Sequence, residues 1–408
     1  MAETNKKRVV YFVPEFPRIS ETFIERELAK LIDLDHLAIT ILALSKASGS
    51  TSSAVLAHTV YNRLSPADVV YGLAYLLTRP RQAYYCLKLA LELPKQSLWA
   101  RVYFFSKTLG YTHILAGLKP QHIHAHFLAW PSTTVLMAAH LLGIPFSISA
   151  HARDVFVEGE LVTHKIKTAK FISICNSYAY TKAVELAGAT VDSSRIKLIY
   201  HGLDPQMFDS PPTTPRLTES ATCPALFLGG TRLVEKKGLK YMIEASRLLR
   251  DRGIVHRVDL VGPGDLYVTL GNLIADLKLQ DTVFIHGGGK GTPFKEVLDY
   301  YKKADLFVFP AIETGSGDVD GVPTVVIEAA MAKLPIITTA AGGITDLIED
   351  GVTGIIIAQK DPEAIANSVE RLLADKGLAA NLAQTAYAKA VTMFDLAKNI
   401  GQLESLLV

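Results

Sequence analysis

Short runs of β-branched and aromatic residues alternate with stretches whose apolar positions recur at helical spacing along almost the whole chain. The runs predict strands over 8–13, 37–43, 121–126, 145–150, 170–174 and 196–200. After residue 224 they resume over 225–229, 256–262, 282–286, 305–309, 335–338 and 354–357. Helical patterns fill most of the intervals. Such alternation implies parallel sheets with helices on both faces. The pattern breaks at 210–224, SPPTTPRLTESATCP, where four prolines among Ser and Thr read as a linker. The expected order is therefore a first α/β domain over 1–210, a linker over 211–224 and a second α/β domain over 225–385. A helical stretch over 386–408 either caps the second domain or crosses back to the first.

Residues 67–118 depart from this alternation. They contain no convincing strand, and Val69, Val70, Leu73, Leu76 and Leu77 share one helical stripe, as do Leu98, Val102, Phe105 and Leu109. A helical insertion over about 63–119 is expected. It carries eight Lys or Arg against two acids, or +6, in a chain of net charge +2, which leaves −4 for the remainder. Tyr84, Tyr85, Trp99, Tyr103 and Phe104 lie among the basic residues. Three readings stay open: the stripes pack on the domain's own core, the segment docks on an anionic membrane surface, or its aromatics form a dimer interface. Nothing in the composition calls for a nucleic-acid partner.

No run reaches the roughly 18 apolar residues of a membrane span. The apolar run at 9–13 is too short for the core of a signal peptide. The expectation is a cytoplasmic chain, with peripheral contact to the inner membrane face left open. Cys86, Cys175 and Cys223 show neither metal-ligand spacing nor a disulfide framework, and read as small buried or incidental thiols.

In open α/β sheets ligands bind beyond the carboxyl ends of the strands, so the loops there hold the candidate chemistry. The loop after the first strand carries Arg18, Ser20, Glu21 and Thr22, with Ser20 placed as a helix cap. The strand ending at 150 leads into His151, with Asp154 three residues on. The strand ending at 229 leads into Arg232 and Lys237; a guanidinium fork and an ammonium suit a diphosphate. Gly262-Pro263-Gly264 lacks the third glycine of a dinucleotide fingerprint and reads as a tight turn. The loop after 305–309 holds Asp320 and, eight residues later, Glu328, separated by Gly321, Val322, Pro323 and Thr324 at a helix start. Asp318 and Asp320 also spell DxD, as do Asp33 and Asp35; a metal role is not expected from so short a match.

Taken together, PRISETF at 17–23, SAHARDVF at 149–156, YHGLDPQMF at 200–208, GGTRLVEKKG at 229–238 and the Asp320–Glu328 pair resemble glycosyltransferase family 4. The likeness is to its bacterial surface-polysaccharide branch, which includes colanic-acid-type enzymes. It implies the GT-B fold: two Rossmann-like domains facing across a cleft. It also implies a retaining hexosyltransferase that takes a nucleotide-sugar donor, of UDP or GDP type, to a glycan or lipid-linked acceptor without cofactor or metal. Carried over by residue, the resemblance gives Arg232 and Lys237 the diphosphate and Glu328 the ribose. Asp320, with the amides of residues 321–324, takes the donor sugar, and His151 lies near the reacting centre. Arg18, Ser20, Glu21 and Thr22 fall on the acceptor side. Asp320 departs from the family's usual Glu and is shorter by one methylene. A nucleotide-sugar epimerase of the same fold and a non-catalytic nucleotide-sugar-binding protein are the alternatives.

Overall fold

A computed structural model describes residues 6–18, 21–47, 49, 51–94, 96–188, 192–208, 225–228, 231–315 and 320–408, with backbone alone for 157–158 and 225–228. Ser20, Lys95, Cys223, Gly229, Gly230, Asp318 and the expected linker lie outside these residues. The chain divides into two compact units, Met1–Gly202 with Leu396–Val408, and Leu203–Asp395.

The first unit runs β1 (Lys7–Phe16), α1 (Thr22–Leu34), β2 (Leu37–Lys46), α2 (Ser53–Ala57), β3 (Thr59–Tyr61), α3 (Pro66–Thr78), α4 (Pro80–Leu91) and α5 (Leu98–Leu118). It continues with β4 (His122–His126), α6 (Trp130–Leu142), β5 (Phe146–Ala150), α7 (Val162–Thr168), β6 (Ile172–Ile174), α8 (Ser177–Ala187) and β7 (Ile196–Leu198). Its sheet has the order β3-β2-β1-β4-β5-β6-β7, parallel throughout. The order reverses between β1 and β4, the position where an open sheet leaves a crevice at its carboxyl edge. Successive residues of β1 point to opposite faces. Val10 and Phe12 enter one core and Val9, Tyr11 and Val13 the other.

The second unit runs β8 (Ala225–Leu228), α9 (Leu239–Asp251), β9 (Arg257–Val261), α10 (Tyr267–Asp276), β10 (Val283–His286), α11 (Phe294–Lys303) and β11 (Leu306–Phe309). It ends with α12 (Thr324–Met331), β12 (Ile336–Thr339), β13 (Ile355–Ile357), α13 (Pro362–Ala374) and α14 (Lys376–Met393). Its parallel sheet has the order β10-β9-β8-β11-β12-β13, with the reversal between β8 and β11. Both units are thus Rossmann-like. The last helix, α15 (Leu396–Leu407), returns to the first unit, where Ile400, Leu403 and Leu407 join the core under β1 and α1. Lys7 Nζ donates to the carbonyls of Leu407 and Val408 at 2.7 and 2.8 Å, which holds that end of the helix.

The insertion consists of α3, α4 and α5, and its burial differs along the helices. Cys86, Leu89 and Ala90 of α4 and Leu109, Ile114 and Leu115 of α5 are buried in the core. The rest is not. Leu77 is 85% exposed, Trp99 84% and Tyr84 73%, and Val70, Tyr71, Leu98 and Tyr103 are exposed with them. Arg79 is a structural residue, donating to Leu141 O at the end of α6 at 2.7 Å, and Arg101 bonds to Leu91 O. Among the described residues no helix is long and apolar enough to cross a membrane.

Candidate active site

In the second unit, the segment after β8 is built against its neighbours by backbone bonds. Thr231 N donates to Val261 O at 3.2 Å and Leu233 N to Pro263 O at 2.6 Å. A Cβ on Gly262 would lie 1.8 Å from Thr231 O, so this glycine serves a close approach of two loops rather than only the turn expected of it. Arg232 is presented outward between these anchors, exposed. Lys237 follows in a tight turn that ends at Gly238, where φ is +66° and a Cβ would meet Pro310 O at 1.8 Å.

Lys237 is not a solvated loop cation. It is buried, and its Nζ donates to Asp320 Oδ2 at 2.7 Å, while Lys236 Nζ lies 3.3 Å from Asp320 Oδ1. Burial lowers the Lys237 pKa against the pull of Asp320. Burial alone would raise that of Asp320, but Lys237 and Lys236 more than offset it and hold the carboxyl below its usual value. Two residues expected in separate roles thus meet across 83 positions of sequence. Lys236, which sequence reasoning passed over, is the third member. Three cations (Arg232, Lys236, Lys237) and one carboxylate leave a local charge of +2.

Pro323 stands at the cap of α12 rather than in its first turn, and Thr324 opens the helix. Glu328, one turn on, is buried and accepts from Tyr301 Oη at 2.9 Å. Tyr301 was not anticipated, because within FKEVLDYYKK it reads as a core aromatic. Its ring does pack at 6.0 Å from Phe307 and 6.1 Å from Phe208, but the hydroxyl orients the carboxylate.

In the first unit three separated motifs converge. Phe23, His151 and His201 form a contiguous set of rings: 4.8 Å from Phe23 to His151, 4.4 Å from Phe23 to His201 and 5.1 Å between the two imidazoles. His201 lay in a motif quoted for the family but was given no role. His151 Nδ1 is 4.0 Å from Asp154 Oδ1, too far for a hydrogen bond. Asp154 instead accepts from His151 N at 2.7 Å and from Leu128 N, joining the loops after β5 and β4. Lys165 Nζ donates to Leu128 O and Ala129 O at 2.6 and 2.9 Å from the other side. Asp154 is therefore a positioning residue. Burial, followed by His201, His126 and His124, holds the His151 imidazole well below its usual pKa. Burial likewise pushes His201 down to about 4. Both rings are neutral at pH 7. In the loop after β1, Arg18 Nη1 donates to Glu21 Oε1 at 3.0 Å. Glu21 occupies the cap of α1, opened by Thr22, and makes no side-chain capping bond; the cap expected at Ser20 lies one residue earlier, outside the described residues.

Residues 219–389 match the family described as glycosyl transferases group 1. The chain is 32% identical over 203 residues to the amylovoran biosynthesis glycosyltransferase AmsK of Erwinia amylovora, spanning 50% of this chain and 48% of that one. It is 26% identical over 382 residues to WcaL of Salmonella typhimurium, named for colanic acid biosynthesis as a glycosyltransferase, spanning 88% and 89%. Among solved structures, Anabaena HepE in complex with UDP and glucose has the same fold, with a TM-score of 0.70 over 98% of this chain and 99% of that one, at 16% identity. Residues 219–389 therefore belong to the group 1 glycosyltransferases, and the chain as a whole has the fold of HepE and is similar over most of its length to a glycosyltransferase named for surface-polysaccharide synthesis.

Proposed function

We propose that the chain moves a hexose-type sugar from a nucleoside diphosphate to a glycan or lipid-linked acceptor, with retention of anomeric configuration and no metal in the transfer step. The observation that carries this reading is the group of Arg232, Lys236, Lys237 and Asp320 at the carboxyl edge of β8 and β11. Its +2 charge complements an esterified diphosphate. As the bond to phosphate breaks, negative charge grows on the leaving group, and fixed cations favour that state over the ground state. Glu328, held by Tyr301, takes the ribose hydroxyls. Asp320 and the amides of Gly321, Val322 and Thr324, with Pro323 setting the turn, take the sugar. His151 is neutral and lies beside the reacting sugar. HepE, solved with UDP and glucose, supports a UDP-type donor.

A thermal-shift screen against UDP-, GDP-, ADP- and TDP-sugars tests the reading. The true donor raises Tm by an amount that follows RT ln(1 + [L]/Kd). Turnover of that donor with acceptor persists in EDTA. No shift with any nucleotide sugar would overturn the assignment, and a free epimer formed without acceptor would mark an epimerase instead.

The exposed aromatic and basic face of α3–α5 supports peripheral docking on the cytoplasmic membrane face, with a lipid-linked acceptor delivered from it. Trp99, Tyr84 and Leu77 supply the apolar contact, and Arg81, Lys88 and Lys107 the charge. Each basic residue contributes about 1 kcal/mol at an anionic surface, screened by salt. Co-sedimentation with anionic vesicles is expected at low salt and lost in W99A or on changing those three cations to Gln. Arg79 is left in place because it bonds to Leu141. No sedimentation of the wild type would remove the membrane from the proposal.

A further inference from the structure

We propose that the thiolate of Cys175 and the imidazoles of His151 and His201 form a binding site for a borderline-soft divalent cation, Zn²⁺ foremost, and that its occupancy withdraws His151 from sugar transfer. The second half rests on the role proposed for His151; the first does not.

The three residues follow β5, β6 and β7, adjacent strands of one parallel sheet, so their side chains gather at a single carboxyl edge. One ligand atom from each lies within 4.8 Å of the other two. Cys175 and His201 line a cavity together with Ser149, Ser173 and Glu27. His151 Nδ1 and Nε2 and His201 Nε2 are buried with no hydrogen-bond partner among the described residues. Buried ring nitrogens without partners are uncommon, and an ion is one way to satisfy them. The imidazoles are already neutral, the form in which they ligate.

Glu27, His124 and His126 make a second group of comparable spacing, but one of its two imidazoles is already committed. His124 Nδ1 bonds to Ser147 at 2.7 Å and Nε2 to Ser149 at 2.9 Å. Glu27 Oε1 lies 3.2 Å from His126 Nε2, and both residues are fully enclosed. His126 keeps unpartnered nitrogens as well, but among the described residues only the group with Cys175 has an unpartnered nitrogen on both imidazoles and a sulfur beside them.

Two imidazoles and one thiolate are the donor set of a three-ligand zinc site with one open position. Bonds of about 2.1 Å to nitrogen and 2.3 Å to sulfur set tetrahedral donors roughly 3.5 Å apart, so the side chains close by about 1 Å on binding. The Cys175 S–H bond is replaced by a bond from sulfur to the metal, and the proton passes to solvent. Asn176 Nδ2, 3.8 Å from Cys175 Sγ, is placed to donate to the sulfur and favour the thiolate.

The full chain, reduced and stripped with chelator, is titrated with Co²⁺. A thiolate-to-cobalt charge-transfer band saturating at one equivalent, and displaced by Zn²⁺, is expected. Cys175→Ser abolishes the band, and His201→Gln weakens Zn²⁺ at least by the roughly 10–100-fold that loss of an outer-shell partner costs. Independently of any variant, Zn²⁺ protects Cys175 of the wild type from alkylation, read by peptide mass spectrometry. Zn²⁺ also slows donor turnover in the wild type and not in Cys175→Ser. Absence of both the band and the protection in the wild type would overturn the site, leaving the proposed role of His151 intact. A band with turnover indifferent to Zn²⁺ would overturn the inhibition, and with it the placement of His151 beside the sugar.

Discussion

The two units share a parallel sheet whose order reverses at one point, yet they fill the carboxyl edge there in opposite ways. In the second unit the buried groups are ions: Lys236 and Lys237 close on Asp320. In the first the buried Asp154 and Lys165 bond to backbone groups of the loops, and the edge is lined by rings that burial keeps neutral: His122, His124, His151 and His201 stand among Phe23, Phe127 and Phe171. A buried charge needs a partner, whereas a buried imidazole can shed its proton. The topology decides where a ligand can sit, and the side chains decide whether that place answers a charge or a hydroxyl. An edge with net charge +2 suits a departing diphosphate. An edge of uncharged imidazoles suits hydroxyl hydrogen bonds and soft metals.

The largest expected effect follows from breaking the ionic edge. Arg232→Ala and Lys237→Ala should each lower kcat/KM by ~10²–10³, the usual effect of removing a donor aimed at developing charge. They should differ in stability. Arg232 is exposed, so its truncation leaves the melting curve unchanged. Lys237 is buried on Asp320, and removing one partner of a buried pair costs about 3–5 kcal/mol, softened here by Lys236. Turnover near wild type in both variants would remove the diphosphate from this edge. Equal melting curves would remove the contrast between them.

Acid should separate the two units. Burial lowers the pKa of His122 to about 3 and of His201 to about 4, and it holds His124 and His151 well below their usual value. In the unfolded chain these groups take up a proton near pH 6.5. The folded pKa is depressed, so the unfolded state binds more protons in this window. The stability is fully present above 6.5 and is lost as pH falls toward 4. For His201 alone the loss by pH 4 is on the order of 3 kcal/mol. In the second unit Asp320 is held below its ordinary carboxylate value, so its contribution is lost only at lower pH. His256 there is one imidazole with a lowered pKa against five in the first unit, His140 included. Hydrogen exchange at pH 8 and pH 5 should show β4, β5 and β6 losing protection at pH 5 while β11 and β12 keep it. Loss at the same pH in both units would refute the division.

Much of the fold was legible because its strands are buried on both faces and therefore read as continuous β-branched runs. β3 escaped because Thr59–Tyr61 lies at the sheet edge, half-buried to exposed, and so carries no buried apolar run. The candidate site was legible where loops follow strands. Arg232, Lys237, Asp320 and Glu328 stand out by residue type beside a strand end. What could not be read was pairing at a distance. Lys237 stands out as a diphosphate ligand, but nothing near it in sequence announces its bond to Asp320. Cys175 reads as incidental because His151 and His201 lie 24 and 26 residues away and meet it only through strand order. The three histidines of HIHAH did carry a signal. Alternate positions of a strand share a face, so His122, His124 and His126 were bound to stack on one side.

The smallest effect concerns Glu328, where a neutral partner supports an acid. Glu328→Gln keeps the shape of the side chain and removes its charge. Hydrogen bonds to a charged group contribute about 1.5–3 kcal/mol, so KM for the donor should rise roughly 10–100-fold. A clamp on ribose holds ground and transition states alike, so kcat should change little. Tyr301→Phe leaves the ring between Phe307 and Phe208 and removes only the hydroxyl that donates to Glu328 at 2.9 Å. The carboxylate stays charged but loses its fixed orientation, so KM should rise by a few-fold, less than in Glu328→Gln. The double variant should be no worse than Glu328→Gln alone, because the hydroxyl acts through the carboxylate. Steady-state kinetics on the three variants decides the matter. If kcat falls while donor affinity is unchanged, Glu328 acts on the reacting sugar. If the two single effects add in full, Tyr301 touches the donor on its own account.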